Sequence, residues 1–458
     1  MAEPPAWRYQ KIIKPMFDQQ PEHTLLRGRV LTCAGDEVIE DGFVELEGGK
    51  IKAVGAAAEL GERAAQAVAT GGTILPGLMN SHAHLAWDGI HDLARQSMDD
   101  APEISAYKSA ANMLISLRAG VTTVRDLGMN KTNFFAKQAI AQGIFPGPRL
   151  LICGEAIIQT GGHTYWCCRE ASGADEMRRA VREQVRGGAD LIKIMACHDT
   201  LEFTDEELAA VIDESHRNGL PITAHATYDA CIARVAEFGV DCVEHGGSMT
   251  AETIDLLLKK QIPIVTTFAP LVMQSIPDLA RQYNVPEWKI AERQKAVGDP
   301  SRYQGLINAA AAGVTIGFGT DAGSPVVGHN VIAPEMAYMV KLGVKRDNYD
   351  AIRSATSVAA KISKLDGKIG TLAAGKSADV IVVDGNPLAE IEAIGRVKMT
   401  FLEGRPPGGQ QLPLPLCPAD RNSLLVGAHR RDDGGSGDHG QTRPRPRRGQ
   451  QPGRRRRQ

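Results

Sequence analysis

Six side chains in this sequence are of the types that hold metal ions and move protons. His82 and His84 stand two apart in Asn80-Ser81-His82-Ala83-His84, and Lys193 interrupts the apolar run Leu191-Ile192-Lys193-Ile194-Met195. His225, His245 and Asp321 end three further short apolar runs. In an extended backbone, residues two apart face the same side, so the imidazoles of His82 and His84 can reach one ion. A lysine inside an apolar strand is costly unless it is paired or modified. Each residue also has a plain structural alternative: a surface histidine pair, strand-end histidines satisfied within the fold, a snorkelling lysine, an aspartate capping a helix. Against coincidence stands their common position, because all six fall at or near the C-terminal ends of predicted strands.

The elements that would position them alternate along the chain. Strands are predicted at 73–79, 121–126, 149–153, 191–195, 221–226, 242–245, 263–267 and 315–319. Helices are predicted at 106–119, 176–186, 205–218, 229–238 and 251–260, with Thr204 as the N-cap before Asp205-Glu206-Glu207. Strand–helix alternation signals a parallel sheet with helical crossovers. Eight such units fit a (β/α)8 TIM barrel, whose active site lies at the C-terminal ends of its strands. A doubly wound open sheet competes, but no Gly-x-Gly-x-x-Gly loop follows the first strand. Short strands and Gly-rich turns at both flanks resemble a small composite β-sandwich built from the two chain ends. The expected organisation is 1–76 and 362–404 for that domain, 77–361 for the barrel and 405–458 for a disordered basic tail.

With 458 residues, 43% hydrophobic and 23% charged, the composition is that of an ordinary soluble globular protein, and the strand–helix alternation makes the expected class α/β. The net charge of −2 conceals two unlike parts. From Arg405 onward stand twelve arginines and four aspartates with no lysine or glutamate, a surplus of eight positive charges that leaves the body at −10. An acidic body argues against nucleic-acid binding. The abrupt change after Gly404 has the look of a shifted reading frame. No apolar run is long enough for a membrane span, and the N-terminus lacks a basic-then-apolar signal pattern, so a cytoplasmic location is expected. The eight scattered cysteines then read as buried, reduced thiols.

The pattern His82-x-His84, Lys193, His225, His245 and Asp321 resembles the binuclear branch of the amidohydrolase superfamily. The likeness runs from about Leu25 to Gly404 and includes Thr73-Ile74-Leu75-Pro76-Gly77 and Gly370-Thr371-Leu372-Ala373-Ala374-Gly375. It implies two divalent metal ions, zinc expected and manganese or cobalt as alternatives. His82, His84 and Asp321 would hold the inner ion, His225 and His245 the outer one, and N-carboxylated Lys193 would bridge them. A shared hydroxide would attack the substrate carbonyl, with Asp321 as the catalytic proton acceptor. A mononuclear deaminase would usually carry Glu where Tyr228 stands, and a non-catalytic scaffold would have lost ligands. Gly161-Gly162-His163 and Tyr228 resemble the branch of Xaa-Pro dipeptidases, ochratoxin amidase, and molinate and phenylurea hydrolases, which implies that His163 and Tyr228 bind substrate. The segment Tyr165-Trp166-Cys167-Cys168 suggests a flat apolar pocket, so an N-aryl urea or anilide such as a phenylurea is the expected substrate. A dipeptide is the alternative: no cation for its carboxylate is evident beside these segments, and Arg125, at the end of the second strand, is the residue best placed to overturn that reading. The small-molecule substrate is the expected partner, and a homo-oligomer the expected assembly.

Overall fold

The computed structural model describes residues 23–198 and 200–406, so the predicted basic tail lies almost wholly outside the described residues. The N-terminal flank forms β1 (His23–Leu31), β2 (Val38–Glu47), β3 (Lys50–Ala56) and β4 (Val68–Pro76). The middle of the chain carries β5 (Leu78–Ala83), β6 (Val121–Asp126), β7 (Arg149–Ile152), β8 (Ile157–Gln159) and β9 (Arg169–Ala171). It continues with β10 (Ile192–Met195), β11 (Ile222–Ala226), β12 (Cys242–His245), β13 (Ile264–Thr266) and β14 (Ile316–Phe318). The C-terminal flank adds β15 (Val380–Asp384) and β16 (Val397–Phe401).

The flanks join in one mixed sheet of order β16-β15-β4-β1-β2-β3, so residues some 300 apart in sequence pair directly, as in Ile381 opposite Leu75. The middle strands are all parallel and form two ladders among the described residues, β5-β6-β7 and β14-β13-β12-β11-β10-β8-β9. A single parallel bridge between Ala83 and Ala322 links β5 to the chain just beyond β14. Covered by helices, these strands bury nearly every residue, which explains their continuous apolar runs.

Two predicted boundaries move. The predicted strand 73–79 is divided at Gly77: Thr73–Pro76 ends β4 in the flank sheet, and Leu78 opens the parallel ladder. Gly77 packs against the Thr122 side chain so closely that no Cβ would fit. The third predicted strand, 149–153, ends one residue early as β7; Gly154 (φ +74°), where a Cβ would strike the Phe134 ring, follows it, and the unpredicted β8 comes next. At Thr204 the prediction holds: its hydroxyl accepts from Glu207 N at 3.2 Å while Glu207 returns a bond to Thr204 N at 2.9 Å, closing a capping box.

The expectation of uniformly reduced thiols is corrected. Cys197, just after β10, and Cys231, in the helix Asp229–Phe238, form a disulfide with Cα atoms 6.4 Å apart. Parallel neighbours β10 and β11 bring these segments together across 34 residues of sequence. Cys33, Cys153, Cys167, Cys168 and Cys242 are free thiols, and Cys417 lies outside the described residues. No described helix is long and apolar enough to cross a membrane.

Candidate metal centre and substrate cavity

The strand ends deliver the six residues to one place. Register pairs Met195 with His225 and Ala226 with His245, so Lys193, His225 and His245 rise from three adjacent parallel strands. His82 lies in β5, and Asp321 N donates to His82 O at 2.8 Å, which brings in the segment after β14. All six, together with His163, line a cavity of about 730 Å³. A separate cavity of about 540 Å³ opens at the N-terminal ends of the strands and contains none of them.

Their mutual geometry is that of a ligand cluster. One ligand atom each from His82, His245 and Asp321 lies within 4.8 Å of the others, and the same holds for His163, His198 and His225. His84 Nε2 is 3.0 Å and His82 Nε2 3.5 Å from Asp321 Oδ1. The His245 ring centroid is 4.6 Å from that of His82 and 4.4 Å from that of His225, so His245 sits between the two groups.

Outer contacts fix which nitrogen faces inward. The Nδ1 atoms of His82, His84 and His245 pair with Glu244 Oε2 at 2.8 Å, Gly128 O at 2.8 Å and Thr267 Oγ1 at 2.6 Å. His163 Nδ1 pairs with Glu202 Oε1 at 2.5 Å. A carboxylate or carbonyl on Nδ1 orients the ring and leaves Nε2 to bind, as metal-ligating histidines require. His245 (φ +70°) and Asp321 (φ +55°) hold left-handed backbones, a strain of about 1–3 kcal/mol each that the packed surroundings sustain.

The electrostatics favour the protonation states that a metal needs at these groups except His84, whose pKa burial lowers but the Asp321 hydrogen bond and charge raise overall. Burial, then the nearby Lys193 and neighbouring imidazoles, hold His82, His225 and His245 well below the usual histidine range, so they are neutral. Burial works to raise the Asp321 pKa, but the His84 hydrogen bond and the two imidazoles outweigh it and keep the group ionised. Lys193 is 2% exposed, its Nζ has no hydrogen-bond partner, and burial lowers its pKa despite Glu244 and Asp321. A buried amine with no partner is an expensive arrangement in an unmodified lysine. Neutral imidazoles, one carboxylate and a partnerless amine among them suit divalent metal ions and a carbamate on the lysine.

With this geometry established, the family follows from comparison. A model described as the Amidohydrolase family matches residues 73–406. The chain belongs to the amidohydrolase family. An ochratoxinase of Aspergillus niger is 28% identical over 368 residues, covering 71% of this chain and 73% of that one. The solved structure of a Xaa-Pro dipeptidase with methionine in its active site shares 26% identity and a TM-score of 0.73 over 84% of this chain and all of that one. A phenylurea hydrolase B structure, 19% identical with a TM-score of 0.66 over 84% and 96% of the two chains, shares the fold. Membership makes this amidohydrolase a hydrolytic enzyme.

Not every residue singled out in the sequence reaches the cavity. Trp166, Cys167 and Cys168 line it, whereas Tyr165 is 52% exposed and outside it. Tyr228 stands at the N-cap position of the helix Asp229–Phe238 and packs against the core, and its neighbour Thr227 lines the cavity. Arg125 is committed elsewhere, giving Nη2 to Glu244 Oε1 at 2.6 Å and Nε to Ser81 O at 2.6 Å. Sequence reasoning passed over Glu244, although a carboxylate one residue before a strand-end histidine was there to see. It also missed His198, stacked 4.6 Å from His163, and the cavity residues Arg293 and Arg302.

Proposed function

We propose that this chain is a binuclear metal-dependent hydrolase that cleaves a non-ring C–N bond in a small amide or urea bearing a flat apolar group. The proposal takes the two parallel ladders as arcs of one (β/α)8 barrel over 77–361, flanked by a β-sandwich domain drawn from 1–76 and 362–404. The observation that carries it is the partnerless Nζ of Lys193, buried among four histidines and Asp321. N-carboxylation of that amine would place two oxygens between the inner set, His82, His84 and Asp321, and the outer set, His225 and His245. When bound there, two divalent ions supply Lewis acidity that activates water and polarises the scissile carbonyl.

The chain's own residues supply the remainder. Asp321, ionised and beside the histidines, accepts the attacking water's proton and returns it to the leaving nitrogen. His163, its ring oriented by the Nδ1 contact to Glu202, lines the cavity and is placed to bind the substrate. Trp87, Trp166 and Phe268 form an apolar wall that packs on a planar group and excludes water. The test is chelation and dialysis, followed by reconstitution with Zn, Mn or Co and a hydrolysis screen of N-phenylureas, anilides and N-acyl amino acids. Activity should vanish with the metal and return at about two ions per chain. Full turnover in metal-free protein, or saturation at one ion, refutes the binuclear reading.

A further inference from the structure

The cavity wall holds positive charge that the chemistry above does not use. The excursion between Thr266 and Ile316 contains a helix, Glu287–Gly298, whose buried residues are Ile290 and Ala296. Arg293 lies between them at three-residue spacing, so it points along the same inward stripe and not with the exposed Glu292, Gln294 and Lys295. Its side chain reaches the cavity, and its Nε is buried without a hydrogen-bond partner. Its one ion-pair contact is a loose 3.8 Å approach of Nη1 to Glu292, the neighbouring and half-exposed residue.

Among the described residues no carboxylate closes a tight ion pair with this charge. Arg302 lines the same cavity, lies 5.5 Å from the Tyr303 ring centroid and has no carboxylate partner among the described residues. Lys289, one turn before Arg293, is held below the ordinary lysine range by burial and then by the like charge of Arg293. Like charges four apart on a helix oppose folding, and a part-buried guanidinium with an unused donor is costly. A planar fork of donors in a ligand cavity matches a carboxylate.

We propose that Arg293, supported by Arg302, is the specificity-determining residue that holds a carboxylate carried by the substrate, so the preferred substrate is an N-acyl amino acid or related anionic amide with an apolar half. This rests on the cavity being the substrate site, as proposed above. It replaces Arg125 in the role the sequence suggested, because Arg125 is spent on Glu244.

The test measures binding and needs no turnover. Metal-loaded protein is titrated calorimetrically with N-(phenylsulfonyl)glycine, whose sulfonamide replaces the scissile amide, and with its neutral counterpart, N-(phenylsulfonyl)glycinamide. The carboxylate should bind about 10- to 100-fold more tightly, the range for a hydrogen bond to a charged group. Arg293→Gln should bring that ratio close to one, and Arg293→Lys, which keeps charge but loses the fork, should fall between. Lys295→Gln, on the exposed face of the same helix, should keep the full preference. Equal affinity for the two ligands in the unaltered protein, or a preference that survives Arg293→Gln in protein of normal metal content, overturns the assignment. Hydrolysis that ignores chelation would instead refute the metal reading and leave this binding result standing.

Discussion

Replacing Glu244 with glutamine tests the support beneath the metal centre. Glu244 is fully buried and accepts from His82 Nδ1 at 2.8 Å, from Arg125 Nη2 at 2.6 Å and from the Thr223 hydroxyl. At 2.6 Å and an effective dielectric near 20, the Arg125 attraction is about 6 kcal/mol gross. Most of that offsets desolvation, but removing one partner strands the other: Arg125, 4% exposed, would be left as an uncompensated buried cation. Such losses cost about 3–5 kcal/mol. The same change loosens the His82 ring, and losing a ligand's outer partner typically lowers metal affinity about 10- to 100-fold. The two effects separate by assay. Chemical denaturation of metal-free Glu244→Gln reports the first, and competitive metal titration of the folded protein reports the second. The double variant Arg125→Met/Glu244→Leu should recover much of the stability, because no unpaired charge remains, while metal affinity stays low. A loss below about 1 kcal/mol with unchanged metal affinity would refute the reasoning.

Three further outcomes follow from the same geometry. Lys193→Ala should lose most bound metal and activity, with partial rescue by short carboxylic acids; a variant with both metals and normal turnover would make the lysine purely structural. Asp321→Asn should lower kcat by about 10²–10⁴-fold with a smaller change in KM, since the amide cannot accept a proton. Glu335, buried and accepting from Ala269 N at 2.5 Å, is pushed by burial from 4.5 up to about 8. The native state therefore keeps a proton that the unfolded chain releases, so its contribution is complete below pH 4.5 and drains at roughly 1.4 kcal/mol per unit as pH rises towards 8. Glu335→Gln should gain stability relative to the parent between pH 5 and 8, read by denaturation at both; a constant difference refutes the buried acid.

The sequence alone determined what depends on local spacing. Apolar runs of strand length, the capping pattern at Thr204 and the two-residue interval of His82 and His84 are properties of neighbouring residues, and apart from the division at Gly77 each is found where the pattern puts it. The short strands β8 and β9 escaped because Ile157-Ile158-Gln159 and Arg169-Glu170-Ala171 do not stand in apolar runs of strand length. Only the tertiary structure decided which partners orient the imidazoles, because those pairs are distant: His82 and Glu244 are 162 residues apart, His163 and Glu202 39, His245 and Thr267 22. It also decided which arginine faces the substrate. In the sequence Arg125, at a strand end, was the cation singled out, and Arg293 went unremarked. Packing reverses them: Glu244 consumes the first, and the buried stripe of its helix turns the second into the cavity. A side chain's type is written in the sequence, but its direction and neighbours are set by long-range packing.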